Sequence, residues 1–188
     1  QINAGCYVFE RDVIRAIPEG RVVSVERETF PGLLKSGARV YGHVDASYWR
    51  DMGRPSDFVQ GSSDLVRGIA PSPLLEGRTG ESLIDESAGV AGGAILVGGT
   101  SVGRGSTIGA GCRLDDCVVF DGVTIEPGAM IRDSIIASGT TIGANARIQD
   151  CVIGDGVNIG ARCELQGGMR VWPGVDIPDL GVRFSPDA

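Results

Sequence analysis

Large rings and lysines are scarce in this chain. Aromatic residues make up 5% of its 188 positions, Lys35 is the one lysine among 17 basic residues, and His43 is the single histidine. No apolar run approaches the roughly 18–20 residues that cross a bilayer, so no membrane contact is expected. Basic clusters are missing too. Asp and Glu number 24 against 17 Lys and Arg, a net charge of −7, whereas a nucleic-acid-binding face is basic. Nucleic acid is therefore not an expected partner. No strict every-third glycine appears, which excludes a collagen-like chain, and 42% hydrophobic against 22% charged residues excludes a disordered tract. The five cysteines are odd in number, and four sit inside a repeat, which argues for free thiols in a reducing compartment. No secretory signal is visible, so the expected location is cytoplasmic. The chain opens at Gln1 rather than methionine, within Cys6-Tyr7-Val8-Phe9, which reads as strand. A piece of a longer protein is expected.

What the chain has in excess is glycine, at 30 residues, about twice the ordinary share. The surplus belongs to a repeat. Aliphatic residues recur at steps of five, six and six: Val97, Val102, Ile108, Leu114, Val119, Ile125, Ile131, Ile136, Ile142, Ile148, Ile153, Ile159 and Leu165. Three steps make a 17-residue turn. Gly105, Gly122, Gly139 and Gly156 keep the same period, as expected of a corner needing positive φ. A second corner reads Ala110-Gly111, Pro127-Gly128 and Ala144-Asn145, and a third Asp115-Asp116, Arg132-Asp133 and Gln149-Asp150. The charged corner residues are expected to be solvated. Two small-residue columns follow as well, Thr100/Cys117/Ser134/Cys151 and Cys112/Ala129/Ala146/Cys163.

Three flats and three corners per turn describe a triangular prism with the aliphatic column inside and coils stacked at about 4.8 Å. The hexads beginning at Ile108, Ile142 and Ile153 resemble the hexapeptide repeat of left-handed parallel β-helices. The hand comes from that resemblance and not from the spacing. An end coil leaves unpaired edge groups, and Val171-Trp172-Pro173 with the tail to Ala188 is the expected cap.

Upstream the texture is α/β. Asp12 to Ile17 reads as a short helix stopped by Pro18. Ser24 is placed to cap a helix running through Leu33-Leu34 to Gly37, and Ser56 a further helix through Val59. Val40 to Val44, which includes His43, alternates as a strand. The proline-bearing stretch 68–80 reads as a linker. The organisation expected is an α/β nucleotidyltransferase remnant over 1–67, a linker over 68–80, a left-handed β-helix over 81–176 and a tail over 177–188, the first label coming from the resemblance that follows.

Three motifs carry that resemblance: Ile2-Asn3-Ala4-Gly5, Ser24-Val25-Glu26-Arg27-Glu28-Thr29-Phe30-Pro31, and Tyr48-Trp49-Arg50-Asp51-Met52-Gly53-Arg54-Pro55-Ser56-Asp57-Phe58. Joined to the repeat, they resemble the C-terminal end of the sugar-nucleotide pyrophosphorylase family, most of all its mannose-1-phosphate guanylyltransferase branch. The resemblance implies a transfer in which a sugar 1-phosphate attacks the α-phosphate of a nucleoside triphosphate, GTP for this branch, and releases pyrophosphate. It assigns Asn3 to sugar hydroxyls, Gly5 to close backbone approach, Trp49 to the pocket wall and Glu26 to the pocket flank. Asp51 is assigned to catalytic Mg²⁺. A carboxylate is a hard oxygen ligand, and Mg²⁺ takes one or two of them plus phosphate oxygens. Outside this context, Asp51 reads as a turn aspartate and Trp49 as a core residue.

The family's glycine-rich nucleotide loop, its first metal aspartate and its Glu-Lys-Pro segment do not occur in these residues. The resemblance therefore gives this chain one part of a site. Alternatives remain: the same transfer with glucose 1-phosphate and ATP or dTTP, a non-catalytic regulatory paralogue, or a hexapeptide acyltransferase. The last is disfavoured because such enzymes use a coil histidine as general base, and the coils here hold none. Homo-oligomerisation through the β-helix is the expected assembly.

Overall fold

The computed structural model describes residues 2–182. They fall into two compact units divided between Trp49 and Arg50.

The first unit holds two short helices and a π-helical turn. Helix α1 spans Arg11–Arg15, the π turn Val25–Thr29, and α2 Phe30–Lys35. Ser24 caps the turn as expected, its Oγ accepting the Arg27 N–H at 3.2 Å. Thr29 N–H reaches back to the Ser24 carbonyl, the five-residue spacing that defines a π turn. Three rings, Tyr7, Phe9 and Phe30, with centroids 5.0 to 6.0 Å apart, tie the leading segment to α2, Tyr7 edge-on to Phe30 and Phe9 stacked on it. The strands expected at Cys6–Phe9 and Val40–Val44 do not form. Both stretches lie outside any strand, since a strand exists only with a ladder partner and no described residue of this unit supplies one.

The second unit is a parallel β-solenoid with a helix laid on it. Every strand pair is parallel and joins one coil to the next. One inward column runs Val90, Ile108, Ile125, Ile142, Ile159 and Ile177. A second runs Leu96, Leu114, Ile131, Ile148 and Leu165. The third runs Ile84, Val102, Val119, Ile136, Ile153 and Val171. From Ile108 to Leu165 these side chains are at most 2% exposed. Burial of each is worth about 1.5–3 kcal/mol against leaving it in water.

Two details differ from the spacing argument. The inward residue of the first coil is Leu96, paired with Leu114, while Val97 pairs with Asp115. This coil carries one extra residue, absorbed by Gly98 and Gly99 at φ +72° and +84°. At the other end Gly167 and Gly168, at +73° and +79°, absorb another. Val171-Trp172-Pro173 is consequently no cap. Arg170–Val171 pairs with Val152–Ile153 as a further coil, Asp176–Ile177 pairs with Asn158–Ile159, and the Glu164 N–H bonds the Val182 carbonyl. The solenoid thus runs past 176 to the last described residue. The expected tail beyond 182 lies outside the described residues.

The corners are built as expected by glycine in one column and by Gly111, Gly128 and Asn145 in the next, where the last two coils place Arg162 and Leu180 at φ +59° instead. The third has an aspartate in the left-handed region on successive coils: Asp116, Asp133 and Asp150 at φ +50° to +53°. Aspartate tolerates this conformation better than most side chains. The small-residue column beside it is a hydrogen-bond ladder. Thr100 Oγ1 accepts the Cys117 N–H at 3.2 Å, and Ser134 Oγ accepts the Cys151 N–H at 3.1 Å.

Helix α3, Pro55–Val66, is longer than expected and differently capped. Ser56 lies inside its first turn behind Pro55. The cap is made by Asp57, whose carboxylate accepts the Arg54 N–H at 3.0 Å. Val59, Gly61, Ser63, Asp64 and Val66 are its buried residues. The stretch expected as a linker is tied down. Ala70 is buried, Gly80 N–H bonds the Val66 carbonyl, and Pro73–Leu75 is a 3₁₀ turn capped by Ser72.

Candidate active site

In the first unit, Asn3, Tyr7 and Glu26 form one cluster. The Asn3 amide donates to Glu26 Oε1 at 2.9 Å and to Tyr7 Oη at 2.7 Å. Tyr7 Oη donates to the same Glu26 oxygen. This bond to a carboxylate raises the Tyr7 pKa above its ordinary value. Gly5, at φ +72°, turns the backbone so that its N–H reaches Asn3 Oδ1 at 2.9 Å. Glu26 itself sits in the π turn, a conformation rare in helices and frequent at functional sites. Three of the predicted site residues, Asn3, Gly5 and Glu26, are therefore brought together, all exposed. Trp49, 47% exposed, ends this unit.

Asp51 belongs to the second unit. It lies outside any helix or strand, between two residues that contact α3. Arg50 pairs with Asp64 through Nη2 at 2.8 Å and Nε at 3.2 Å, and Asp64, 4% exposed, also accepts from Gln60. Met52 lies on Gly61: a Cβ added there would meet its Cε at 2.1 Å. With Arg50 and Met52 engaged on the helix, Asp51 is left exposed. A Cβ at Gly53 would lie 3.8 Å from Asp51 Oδ2 and 4.0 Å from Asp57 Oδ2, so both carboxylates flank this glycine. Arg54 is held by Asp57, which raises the Arg54 pKa, and the charge of Asp51 adds to the effect.

No group of three or more His, Cys, Asp or Glu among the described residues is placed to cage a metal. A single exposed carboxylate fits a cation that draws its remaining ligands from phosphate and water, which is how Mg²⁺ is ordinarily held.

A family model described as GMPPB C-terminal domain matches residues 78–178, and one described as Nucleotidyl transferase matches residues 1–68. The chain belongs to the GMPPB C-terminal domain family. A mannose-1-phosphate guanylyltransferase of Mycobacterium tuberculosis is 68% identical over 188 residues, covering all of this chain and 52% of the relative. Mannose-1-phosphate guanylyltransferase 1 of Arabidopsis thaliana is 33% identical over 128 residues, 65% of this chain and 35% of that protein. The chain thus spans about half the length of the first of these relatives or less. Among solved structures, a perosamine N-acetyltransferase from Caulobacter crescentus is 18% identical over 58% of this chain and 55% of its own, with a TM-score of 0.48.

Sequence reasoning missed four contributors. Tyr7 lay in a presumed strand, and Arg50, Met52 and Asp64 work by contacts across a turn that no local pattern announces. A glycine at the middle of α3 was the available signal: Gly61 is disfavoured in a helix by about 1 kcal/mol, so it has a packing reason. The GMPPB C-terminal domain match starts at 78, yet by packing α3 sits with the solenoid and carries the Asp51 segment with it.

Proposed function

We propose that the polypeptide containing this chain makes GDP-mannose and pyrophosphate from mannose 1-phosphate and GTP. One observation carries this reading: 68% identity along the whole chain to a mannose-1-phosphate guanylyltransferase. A phosphate oxygen of the sugar 1-phosphate attacks the α-phosphorus of GTP. The bond to the bridging oxygen breaks, and pyrophosphate leaves with that electron pair. No protein nucleophile enters, so the work of the chain is positioning and charge placement.

In this proposal the Asn3–Tyr7–Glu26 cluster receives the sugar. Both amide hydrogens of Asn3 are engaged inside the cluster, so its offer to sugar hydroxyls is chiefly acceptor oxygens, those of Glu26 foremost. Gly5 keeps the neighbouring backbone free of a side chain, and Trp49 supplies an apolar wall. Asp51 is the carboxylate that holds Mg²⁺, which when bound offsets phosphate charge. The β-solenoid serves self-association, for which its outward Phe120, Met130 and Trp172, 40% to 79% exposed, are suited. A cytoplasmic location completes the proposal. No helix of the described residues is long and apolar enough to cross a membrane.

The test is nucleotidyl transfer by the full-length gene product with GTP, ATP, dTTP and UTP, each with mannose 1-phosphate and glucose 1-phosphate. A clear preference for GTP with mannose 1-phosphate is expected. Comparable rates with several nucleotides would contradict the assignment, as would absence of turnover with GTP.

A further inference from the structure

The segment that carries Asp51 is fixed from below. Arg50 and Met52, on either side of it, are both seated on α3: one by a two-pronged pair to the buried Asp64, the other by contact with Gly61 at a distance that leaves no room for a methyl group. Asp57, in the first turn of the same helix, holds the Arg54 backbone N–H and guanidinium. Residues 50, 52 and 54 thus all contact or pair with one 12-residue helix, which holds the chain on either side of Asp51.

The helix is in turn locked to the solenoid. Ser63 Oγ donates to the Gly98 carbonyl at 2.5 Å, and a Cβ at Gly99 would lie 2.6 Å from Ser63 Cα. Only a glycine admits the helix backbone that closely. It does so at the one corner where the first coil carries its extra residue. Arg67 adds a looser pair to Glu81 at 3.9 Å. A continuous packed path therefore runs from the first solenoid coil through Gly99, Ser63, Gly61 and Asp64 to Met52 and Arg50.

We propose that the solenoid, acting through α3, sets the position of Asp51, with Asp64 and Gly61 as positioning residues for its carboxylate. The inference rests on the metal-binding reading of Asp51 given above. It adds to the solenoid a role independent of self-association. Groups hydrogen-bonded directly to a metal ligand commonly change metal affinity or activity by about 10–100-fold when altered; Asp64 acts one residue removed, through Arg50, which puts its effect at the lower end of that range. Asp64→Asn weakens the hold on Arg50 while keeping the volume. Gly61→Ala displaces the Met52 methyl, the far end of a flexible, half-exposed side chain, while favouring the helix itself, so it is the milder of the two perturbations.

The experiment measures two things on the full-length gene product carrying Asp64→Asn, Gly61→Ala or Asp51→Asn. One is the Mg²⁺ concentration for half-maximal transfer. The other is hydrogen exchange of the amides at 50–54 without metal. For Asp64→Asn the half-saturating Mg²⁺ rises about tenfold, for Gly61→Ala it rises by less, exchange at 50–54 quickens in both, and rates at saturating Mg²⁺ stay near wild type. Folded variants with unchanged Mg²⁺ half-saturation, beside an Asp51→Asn enzyme that is inactive, would overturn the positioning role and leave the site reading intact. An Asp51→Asn enzyme with wild-type turnover and Mg²⁺ dependence would overturn the site reading and this inference with it. If Asp64→Asn fails to fold, Arg50→Lys, which removes the two-pronged pair to Asp64 and keeps the charge, decides in its place.

Discussion

Replacing Ser134 by alanine tests how the coils are held together inside. Ser134 is fully buried. Its Oγ donates to the Arg132 carbonyl at 2.6 Å and accepts the Cys151 N–H of the next coil at 3.1 Å. The Arg132 carbonyl keeps a second donor, the Asp150 N–H at 3.1 Å, so the substitution orphans one group, the Cys151 amide. A buried unsatisfied donor costs about 1–3 kcal/mol. At about 2–4 °C per kcal/mol for a chain of this size, Ser134→Ala lowers Tm by roughly 2–12 °C. Thr140 is the control. It is equally buried, but its hydroxyl donates to the Gly154 carbonyl at 2.8 Å, and valine occupies the matching position one coil before and after, at Val123 and Val157. Thr140→Val keeps the shape and orphans no N–H; it takes one donor from the carbonyl of Gly154, a half-buried residue, so Tm falls by less than for Ser134→Ala. Thermal unfolding followed by far-UV circular dichroism compares the two. Equal shifts would refute the ladder as the reason for the column's polar residues.

Burial pushes the Cys117 thiol up to about 12 and the Cys151 thiol up to about 11. Raised values keep both as unreactive thiols at pH 8, and Cys112 and Cys163 are buried as well. A disulfide reagent therefore titrates one thiol per native chain, Cys6, and five after denaturation; a second fast equivalent would contradict the packing. Asp133 is raised by desolvation, against the pull of Arg132 and with help from the neighbouring carboxylates. Its folded pKa above the unfolded one means that the ionised form opposes folding, and this penalty is relieved as pH falls through the folded value. Asp133→Asn, which suits the left-handed φ of +50°, accordingly raises Tm at pH 7. The gain shrinks as the pH is lowered toward 4; an equal gain at both pH values would assign it to backbone preference alone.

The solenoid was legible because its constraint repeats. One inward aliphatic every five or six residues is imposed again on each coil, so chance matches cancel and the period survives. Where the period breaks, spacing no longer identifies the inward residue. Val97 kept the spacing, but Gly98-Gly99 let the chain insert a residue and turned Leu96 inward. The solvated reading holds for Asp133 and Asp150, both exposed, but the period did not announce that they border a groove of about 180 Å³ shared with Arg54, Ser56 and Val59 of the α3 region. A period sees the coil and not what is laid on it.

In the first sixty residues the helices were readable from Ser24, Pro18 and Gly37, each a local signal. Cys6–Phe9 and Val40–Val44 have strand composition, but strand formation is settled by a partner and not by composition. The motifs around Asn3, Glu26 and Asp51 marked where to look. The contacts that hold them could not be marked, because Asn3 to Glu26 and Arg50 to Asp64 join residues 23 and 14 positions apart. Asp64 carries no motif at all, and its importance lies in being a buried carboxylate with a guanidinium partner.

The most direct test of the functional account is Asp51→Asn in the full-length gene product, assayed for GDP-mannose formation from mannose 1-phosphate and GTP. Loss of a carboxylate that holds the catalytic cation removes several kcal/mol of charge stabilisation, so turnover falls at least about 100-fold while Tm and far-UV circular dichroism are unchanged. Turnover within twofold of wild type would take Asp51 out of the site and contradict the account.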